Sequence, residues 1–391
     1  MSAPIFINAF SISSPLGADT ATNAENLFAG DQRGLSSTMS LVDGRPVPVG
    51  RVSAYLRIPP GAVAAERSRS NLLILHCLQG IEDDVRTMTD SCEPGRVGVV
   101  VGNCTSGILE AEAALKIRLA AGEWSDDYDY ARQEPGDPAL FLSRVLGVTG
   151  PAHTVSTACT SGAKAIASGA RLIQADLCDV VLCGGADALC ELTVNGFAAL
   201  EAVSNEICNP FSRNRAGINI GEGAALFVLS REPAELRLAG WGESSDAYHI
   251  SAPHPQGVGA EMSVRQALAD AGLTPGDIGY LNLHGTATRL NDAMEALVVD
   301  RVFGRELPCS STKALTGHML GAAGSCEAAF VALSLLGGGT LPPHLWDGEH
   351  DPDLPPIALV DARGARSDSR YMMSCSYAFG GSNIALILGR E

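Results

Sequence analysis

Three side chains stand out for the chemistry they offer together: a cysteine, Cys159, and two histidines, His284 and His318. Cys159 ends a polar, β-branched run and is followed by "TSGAKAIASGARLI", which reads as a turn opening a helix. A thiol attacks carbonyl carbon as the thiolate, and an ordinary cysteine is only a few per cent ionised at neutral pH. A helix N-terminus offers unpaired N–H groups that favour the thiolate and can also hold an oxyanion. Ala158 and Gly162 keep the turn uncrowded. His284 sits where the strand-like "YLNLHG" ends, and His318 sits in the glycine-rich "LTGHMLGAAG" before an alanine-rich helix. Strand ends are where reactive groups collect in α/β proteins. One cysteine with two histidines fits acyl transfer joined to carbon–carbon bond formation. The thiol takes the acyl group, and the imidazole N–H groups stabilise the enolate of a second substrate. A cysteine protease needs only one histidine, with an orienting Asn or Asp.

The other histidines read differently. His76 lies in an apolar helical run and reads as a satisfied core residue. His153 reads as structural, His249 and His254 as loop residues open to either role, and His344 and His350 as surface loop. The eleven cysteines are scattered, mostly within apolar segments, and no CxxC pair occurs. They read as reduced, buried thiols, not as disulfides or a structural zinc site, and no metal is expected.

The elements around these residues alternate. "RVGVVVGN" (96–103) and "CDVVLCGGAD" (178–187) read as buried strands. "RAGINIGEGAALFVLSR" (215–231) reads as a turn feeding a long strand, "MSVRQALADAGLTPGDIGYLNLHG" (262–285) as helix, turn and strand, and "YMMSCSYAFGGSNIALILG" (371–389) as a closing hairpin. Apolar strands separated by helices imply sheets covered on both faces. The acidic, aromatic stretch from Ala121 to Asp137 reads as a long surface loop. No internal sequence repeat is evident. The chain has 391 residues, 46% of them apolar, and 43 glycines, the composition of a turn-rich α/β protein. Its net charge of −17 disfavours nucleic acid as a partner. No apolar run reaches membrane-spanning length and the N-terminus has no signal-peptide pattern, so a cytoplasmic location is expected.

Four ordered motifs, "TACTSGAKAIASGARLI", "HGTATRLND", "STKALTGHMLGAAGSCEAA" and "SYAFGGSN", resemble those of the elongating β-ketoacyl-acyl carrier protein synthases. The looser "VVVGNCTSG" and "NPFSRNRAGINIGEGAA" extend the likeness to nearly the whole chain. The resemblance implies the thiolase fold, two similar α/β halves in α-β-α-β-α layers, here 1–235 with the cysteine and 236–391 with both histidines. It implies a decarboxylating Claisen condensation of an acyl-carrier protein with malonyl-carrier protein. It makes Cys159 the acylated nucleophile, with His284 and His318 promoting decarboxylation and Lys313 and Glu327 completing the network. Thr286 and Thr288 would bind the pantetheine arm. Phe379 would gate the acyl pocket and share an oxyanion site with Cys159. No cofactor is implied beyond the phosphopantetheine carried by the substrate.

The partners implied are acyl carrier protein and a second subunit, giving a homodimer or a heterodimer with a chain-length-factor-like chain. Because the carrier is acidic, Arg67, Arg69, Arg213 and Arg215 are candidate docking residues. The chain departs from the family where Ser212, Asn214 and Ala216 replace acidic residues, where Asn219 is polar, and where Ala378 and Cys375 replace Gly and Asn. The departures bear on which acyl chain is preferred, and the combination of "LTVNGFAALEAVS", "NPFSRNRAGINIGEGAA", "GWGESSDAYHISAPHP" and "LPPHLWDG" is similar to the synthases of bacterial aryl polyene pathways. Two alternatives stand beside this reading. One is a biosynthetic thiolase using Cys375 as its base. The other is a subunit acting mainly through its interface, although such subunits usually lose the cysteine that is present here.

Overall fold

The computed structural model describes residues 3–391. Ten strands form one hydrogen-bonded order. They are β1 (Ile5–Ser13), β2 (Val97–Gly102), β3 (Ala152–Val155), β4 (Val180–Asp187), β5 (Gly223–Ser230), β6 (Leu236–Ser245), β7 (Ile278–Asn282), β8 (Cys309–Ser310), β9 (Tyr371–Ala378) and β10 (Ser382–Arg390). Their order is β8-β7-β9-β10-β6-β1-β5-β4-β2-β3.

This order is one pattern written twice. In the first five strands β2 runs parallel to β3 and β4, and β4-β5-β1 is antiparallel. In the second five β7 runs parallel to β8 and β9, and β9-β10-β6 is antiparallel. The two sets meet only where Ile5, Phe6 and Ile7 of β1 pair with Leu238, Arg237 and Leu236 of β6. The two similar halves that the resemblance implies, which no sequence repeat marks, are therefore explicit in the strand pairing.

Helices repeat the same pattern. α1 (Arg69–Gly80) precedes β2, and α2 (Ile108–Ala121) and α3 (Asp137–Leu146) follow it. α4 (Ser161–Gln174) links β3 to β4. α5 (Val258–Ala271) precedes β7, α6 (Arg289–Phe303) follows it, and α7 (Ala323–Leu336) links β8 to β9. Helices α4 and α7, the equivalent pair, pack on each other and on strands of both halves. They form the middle of an α-β-α-β-α arrangement, the thiolase fold. Strand alternation sorts the side chains between layers. Ala225, Phe227 and Leu229 of β5 face the central core with α4 and α7, while Ala224, Leu226 and Val228 face an outer core with α1 and α3. On β10, Ile384, Leu386 and Leu388 face the centre, and Ala385 and Ile387 face the outer core of the second half. α7 is buried on all sides, which explains its alanine-rich, apolar sequence.

The expected strands and closing hairpin lie where the patterns put them. The stretch from Ala121 is mostly loop, but a short 3-10 turn, Tyr130–Gln133, and the buried Arg132 pin it, with Arg132 Nε donating to Ala64 O at 2.8 Å.

The tips of α4 and α7 must nearly touch, and glycine permits it. A Cβ on Gly162 would lie 2.7 Å from Ser325 Oγ and 2.8 Å from Gly321 O. Gly162→Ala should therefore push the two helix starts apart. Overpacking of this kind costs about 1–3 kcal/mol, so the expected result is a lower Tm by calorimetry together with slower alkylation of Cys159.

Candidate active site

Cys159 follows Ala158, which holds φ 53, a left-handed conformation that costs a non-glycine residue about 1–2 kcal/mol. The Ala158 carbonyl accepts from Ser161 N at 3.0 Å and Ser161 Oγ at 2.6 Å, which fixes the turn. Leu320, two residues after His318, and Ala287, three after His284, hold φ 51 and 61. Each of the three reactive side chains thus stands beside a strained residue.

The three converge from both halves of the fold. His318 Nε2 lies 2.8 Å from Cys159 Sγ. The sulfur and a ring nitrogen of each histidine lie within 4.8 Å of one another, and the histidine rings meet edge to face at 5.3 Å. All three residues are buried. Burial and the nearby Lys313 ammonium hold both imidazoles well below the usual histidine range, so both are neutral. Burial also pushes the Cys159 thiol up to about 12, against the pull of Lys313. This corrects the expectation that the helix end favours the thiolate. Desolvation outweighs the dipole, and Sγ and Nε2 share one hydrogen between neutral groups. Their donor types are also those a soft divalent cation takes.

Lys313 and Glu327 are each 1% exposed and lie 2.5 Å apart, so neither is a surface charge. Lys313 Nζ also donates to the His284 carbonyl at 2.5 Å. Glu327 Oε2 has no hydrogen-bond partner among the described residues, and burial raises its carboxyl.

Several supporting residues lie outside the sequence motifs' obvious members. Glu295 of α6 accepts from His284 N and Gly285 N, both at 2.7 Å, and burial pushes it up to about 8. Asp187, at the end of β4, accepts from Cys104 N, Thr105 N, Thr105 Oγ1 and Gly321 N at 2.9, 2.7, 2.7 and 2.6 Å. It ties the loop after β2 to the turn that carries His318. His344 is not surface loop. It is buried, its Nδ1 accepts from Ser311 N at 3.1 Å, its Nε2 donates to Pro210 O at 3.0 Å, and burial lowers it to about 4. Asp347 accepts from Ser212 Oγ and Asn214 Nδ2, both at 2.8 Å, and so brings a carboxylate to this loop.

A cavity of about 350 Å³ opens from Cys159, His284 and His318 past Thr286, Thr288 and Phe379 to the surface. The two threonine hydroxyls lie 2.9 Å apart. Phe379 is 39% exposed, with its ring 5.5 Å from Phe197. Cys375 is elsewhere, in the outer core of the second half, and burial raises its thiol, so a thiolase would lack its base here.

Of the four docking arginines, two are turned inward. Arg69 holds the buried Glu222 at 2.6 Å, and Arg215, itself buried, holds Asp351 at 2.5 Å. Sequence shows a cation but not the carboxylate that neutralises it, and these two are corrected as docking residues. Arg67 is exposed but donates twice to Ala62 O, at 3.0 and 2.6 Å. Arg213 is exposed, 3.8 Å from Glu349.

Two predictions follow from this geometry. Because the raised thiol is neutral at ordinary pH, alkylation of Cys159 by iodoacetamide, followed by intact-protein mass spectrometry, should keep rising about tenfold per pH unit through pH 10. An ordinary thiol levels off near pH 9. Lys313→Met strands a buried carboxylate and should cost about 3–5 kcal/mol by urea denaturation. Adding Glu327→Leu should restore most of that stability without restoring activity.

The chain matches the N-terminal domain of the beta-ketoacyl synthase family over residues 53–234 and its C-terminal domain over residues 236–346. It is 32% identical over 402 residues to 3-oxoacyl-[acyl-carrier-protein] synthase 2 of Staphylococcus aureus strain N315, covering 96% of this chain and 95% of that one. It is 36% identical over 311 residues to nodulation protein E of Rhizobium meliloti, covering 76% and 77%. Among solved structures, the ketosynthase ApeO in complex with its chain length factor ApeC, from Xenorhabdus doucetiae, superposes with a TM-score of 0.96 at 42% identity, covering 100% and 98%. The ishigamide ketosynthase/chain length factor superposes at 0.89 with 27% identity, covering the whole of both chains. A buried cysteine facing two neutral histidines across the centre of a duplicated fold, carried by a sequence with these relatives, makes this chain a member of the β-ketoacyl synthase family, a condensing acyltransferase.

Proposed function

We propose that the chain extends an acyl chain held as a thioester on Cys159 with a malonyl unit, both substrates delivered on acyl carrier protein. The observation that carries this reading is the 2.8 Å contact between Cys159 Sγ and His318 Nε2, with His284 beside them in a buried cavity. In the first half-reaction Sγ attacks the acyl-carrier carbonyl, its proton passes to His318, and the carrier thiol leaves protonated. In the second, the malonyl C–C bond breaks, carbon dioxide leaves, and the electron pair becomes an enolate held by imidazole N–H groups. The enolate carbon attacks the acyl-Cys159 carbonyl. The tetrahedral oxyanion forms against the N–H groups of Cys159 and Phe379, and its collapse frees the sulfur as a thiolate, which takes one proton from water to restore the resting thiol.

Lys313 and Glu327 fix the His284 loop and keep the site free of uncompensated charge. Thr286 and Thr288 face the pantetheine arm, and Phe379 gates the acyl pocket. No cofactor is required beyond the arm that the carrier brings. The two functional halves are 1–235 and 236–391, and the enzyme works in the cytoplasm; no helix among the described residues is long and apolar enough to cross a membrane.

The subunit partner is a second chain of the same fold, either another copy or a chain-length-factor-like chain. Support comes from α2, where only Ala114 is buried while Leu115, Ile117 and Leu119 are exposed, and from β3, which has a neighbour on one side only. The likeness to ApeO and to the aryl polyene synthases favours a polyene product over a saturated fatty acid.

Incubation with acyl- and malonyl-carrier protein, read by intact-protein mass spectrometry, tests the proposal. Acyl adduct on Cys159, absent in Cys159→Ala, with β-ketoacyl-carrier formed, is the expected result. Polyenoyl primers should outrun saturated ones of equal length. Adduct on another cysteine would overturn the assignment.

A further inference from the structure

Which cation meets the substrate, once Arg69 and Arg215 are committed to buried carboxylates? The cavity above Cys159 is lined by two arginines, Arg215 and Arg289. Arg215 is neutralised by Asp351. Arg289 is exposed, follows Thr288 directly, and its guanidinium makes no hydrogen bond or ion pair among the described residues. Its backbone is fixed, because the carbonyl accepts from Arg215 NH2 at 3.4 Å and the residue opens α6. Its charge also acts on Asp351 and helps hold that carboxyl below the usual range, but Asp351 is already bound by Arg215, so the Arg289 guanidinium keeps its hydrogen-bonding groups open on a held backbone at the exposed rim of the cavity.

The surroundings give that charge a direction. Asp246 also lines the cavity, but its carboxylate already accepts from His254 N at 2.9 Å and Asn383 Nδ2 at 2.8 Å. Glu201 lines it too and is exposed, the one carboxylate there without such bonds. The rim otherwise carries apolar side chains, Leu200 at 57% and Leu290 at 62% exposed. A ligand that is apolar or amide-like inside and anionic at its outer end would settle its charge on Arg289 and away from Glu201. On a chain of net charge −17, an unpaired cation at this one mouth is selective for such a ligand.

We infer that Arg289 binds the phosphodiester at the outer end of the substrate's phosphopantetheine arm, and so sets the preference for carrier-borne over free thioesters. The inference rests on the proposed condensing function, since it is that reaction whose substrates carry such an arm. Arginine suits the task because its planar fork gives two charge-assisted hydrogen bonds to a phosphate. Arg289 touches substrate but not the reacting atoms, so it acts on capture and not on the chemical step.

Two octanoyl thioesters that differ only in the phosphate test it: octanoyl-pantetheine and octanoyl-4′-phosphopantetheine. The rate of Cys159 acylation is followed by intact-protein mass spectrometry for the wild type, Arg289→Ala and Arg289→Lys. The wild type should favour the phosphorylated thioester by about tenfold. That ratio should fall to near one in Arg289→Ala and be largely kept in Arg289→Lys. With octanoyl-carrier protein, Arg289→Ala should raise KM and leave kcat near its wild-type value. A ratio unchanged in Arg289→Ala overturns the inference, whether the two rates fall together, as they would if Arg289 only shaped the cavity, or only carrier-bound substrate suffers, as it would if Arg289 read acidic carrier residues. Equal wild-type rates with both thioesters also overturn it, while the condensing function stands. Failure of every thioester to acylate wild-type Cys159 would instead overturn the condensing function.

Discussion

Lys313 and Glu327 share a space that holds no water-exposed surface, and the rest of the site is arranged around that pair. Two opposite charges in low dielectric are tolerated only when they meet closely and find further hydrogen bonds. Lys313 finds one in the His284 carbonyl. The pair therefore fixes the loop of one histidine while adding little net charge to the cavity. Even paired, the lysine's charge helps burial keep His284 and His318 unprotonated. Had the glutamate stood alone, it would oppose both the thiolate and the enolate. Paired, they leave a site whose reactive groups start neutral.

The duplication of the fold explains how the reactive groups come to face one another. Cys159 precedes α4 and His318 precedes α7, and these helices are equivalents in the two halves. A topology that packs the two helices against each other in the middle layer brings their N-terminal turns together. The sharp turns that lead into them are the cost, visible as positive φ at Ala158 and Leu320. Asp187 holds the arrangement across the seam, with hydrogen bonds to the loop after β2 and to the turn following His318. Its charge is sustained by four hydrogen-bond donors, which is why burial lifts its carboxyl only to about 6.

Much of this was legible in the sequence where a side chain does the chemistry itself. Cys159, His284, His318 and Lys313 stand at strand or turn ends in ordered motifs, and the alternating runs read as buried strands. What was not legible acts through backbone or through pairing. Glu295 sits among Asn291, Asp292, Met294 and Val298 on the buried side of α6, and nothing in one sequence says that its carboxylate meets the amides of His284 and Gly285. A carboxylate on an otherwise buried helical face was the available signal. His344 lies in "PPHLWDG", a turn-like composition, yet its ring bridges Ser311 and Pro210. Arg69 and Arg215 carry charge that composition counts as surface but that Glu222 and Asp351 absorb. The two similar halves were implied by the resemblance but left no sequence repeat, because what repeats is the set of pairing directions, which divergent sequences can keep.

A neutral thiol beside neutral imidazoles appears ill-suited to nucleophilic attack, but the demands of two half-reactions resolve this. A standing thiolate in a dry cavity would repel the malonyl carboxylate that must enter second, and a standing imidazolium would hold that carboxylate and oppose its loss as carbon dioxide. Burial imposes the neutral state on all three groups at once. In the proposed mechanism charge then appears only as bonds change, first on sulfur as its proton crosses 2.8 Å to His318, later on the enolate oxygen as carbon dioxide departs. In each case the donors that receive it are already in position and pay no reorganisation in water. The same desolvation that makes Cys159 a poor thiolate at rest is what makes the site discriminate between a charge that belongs to the reaction and one that does not.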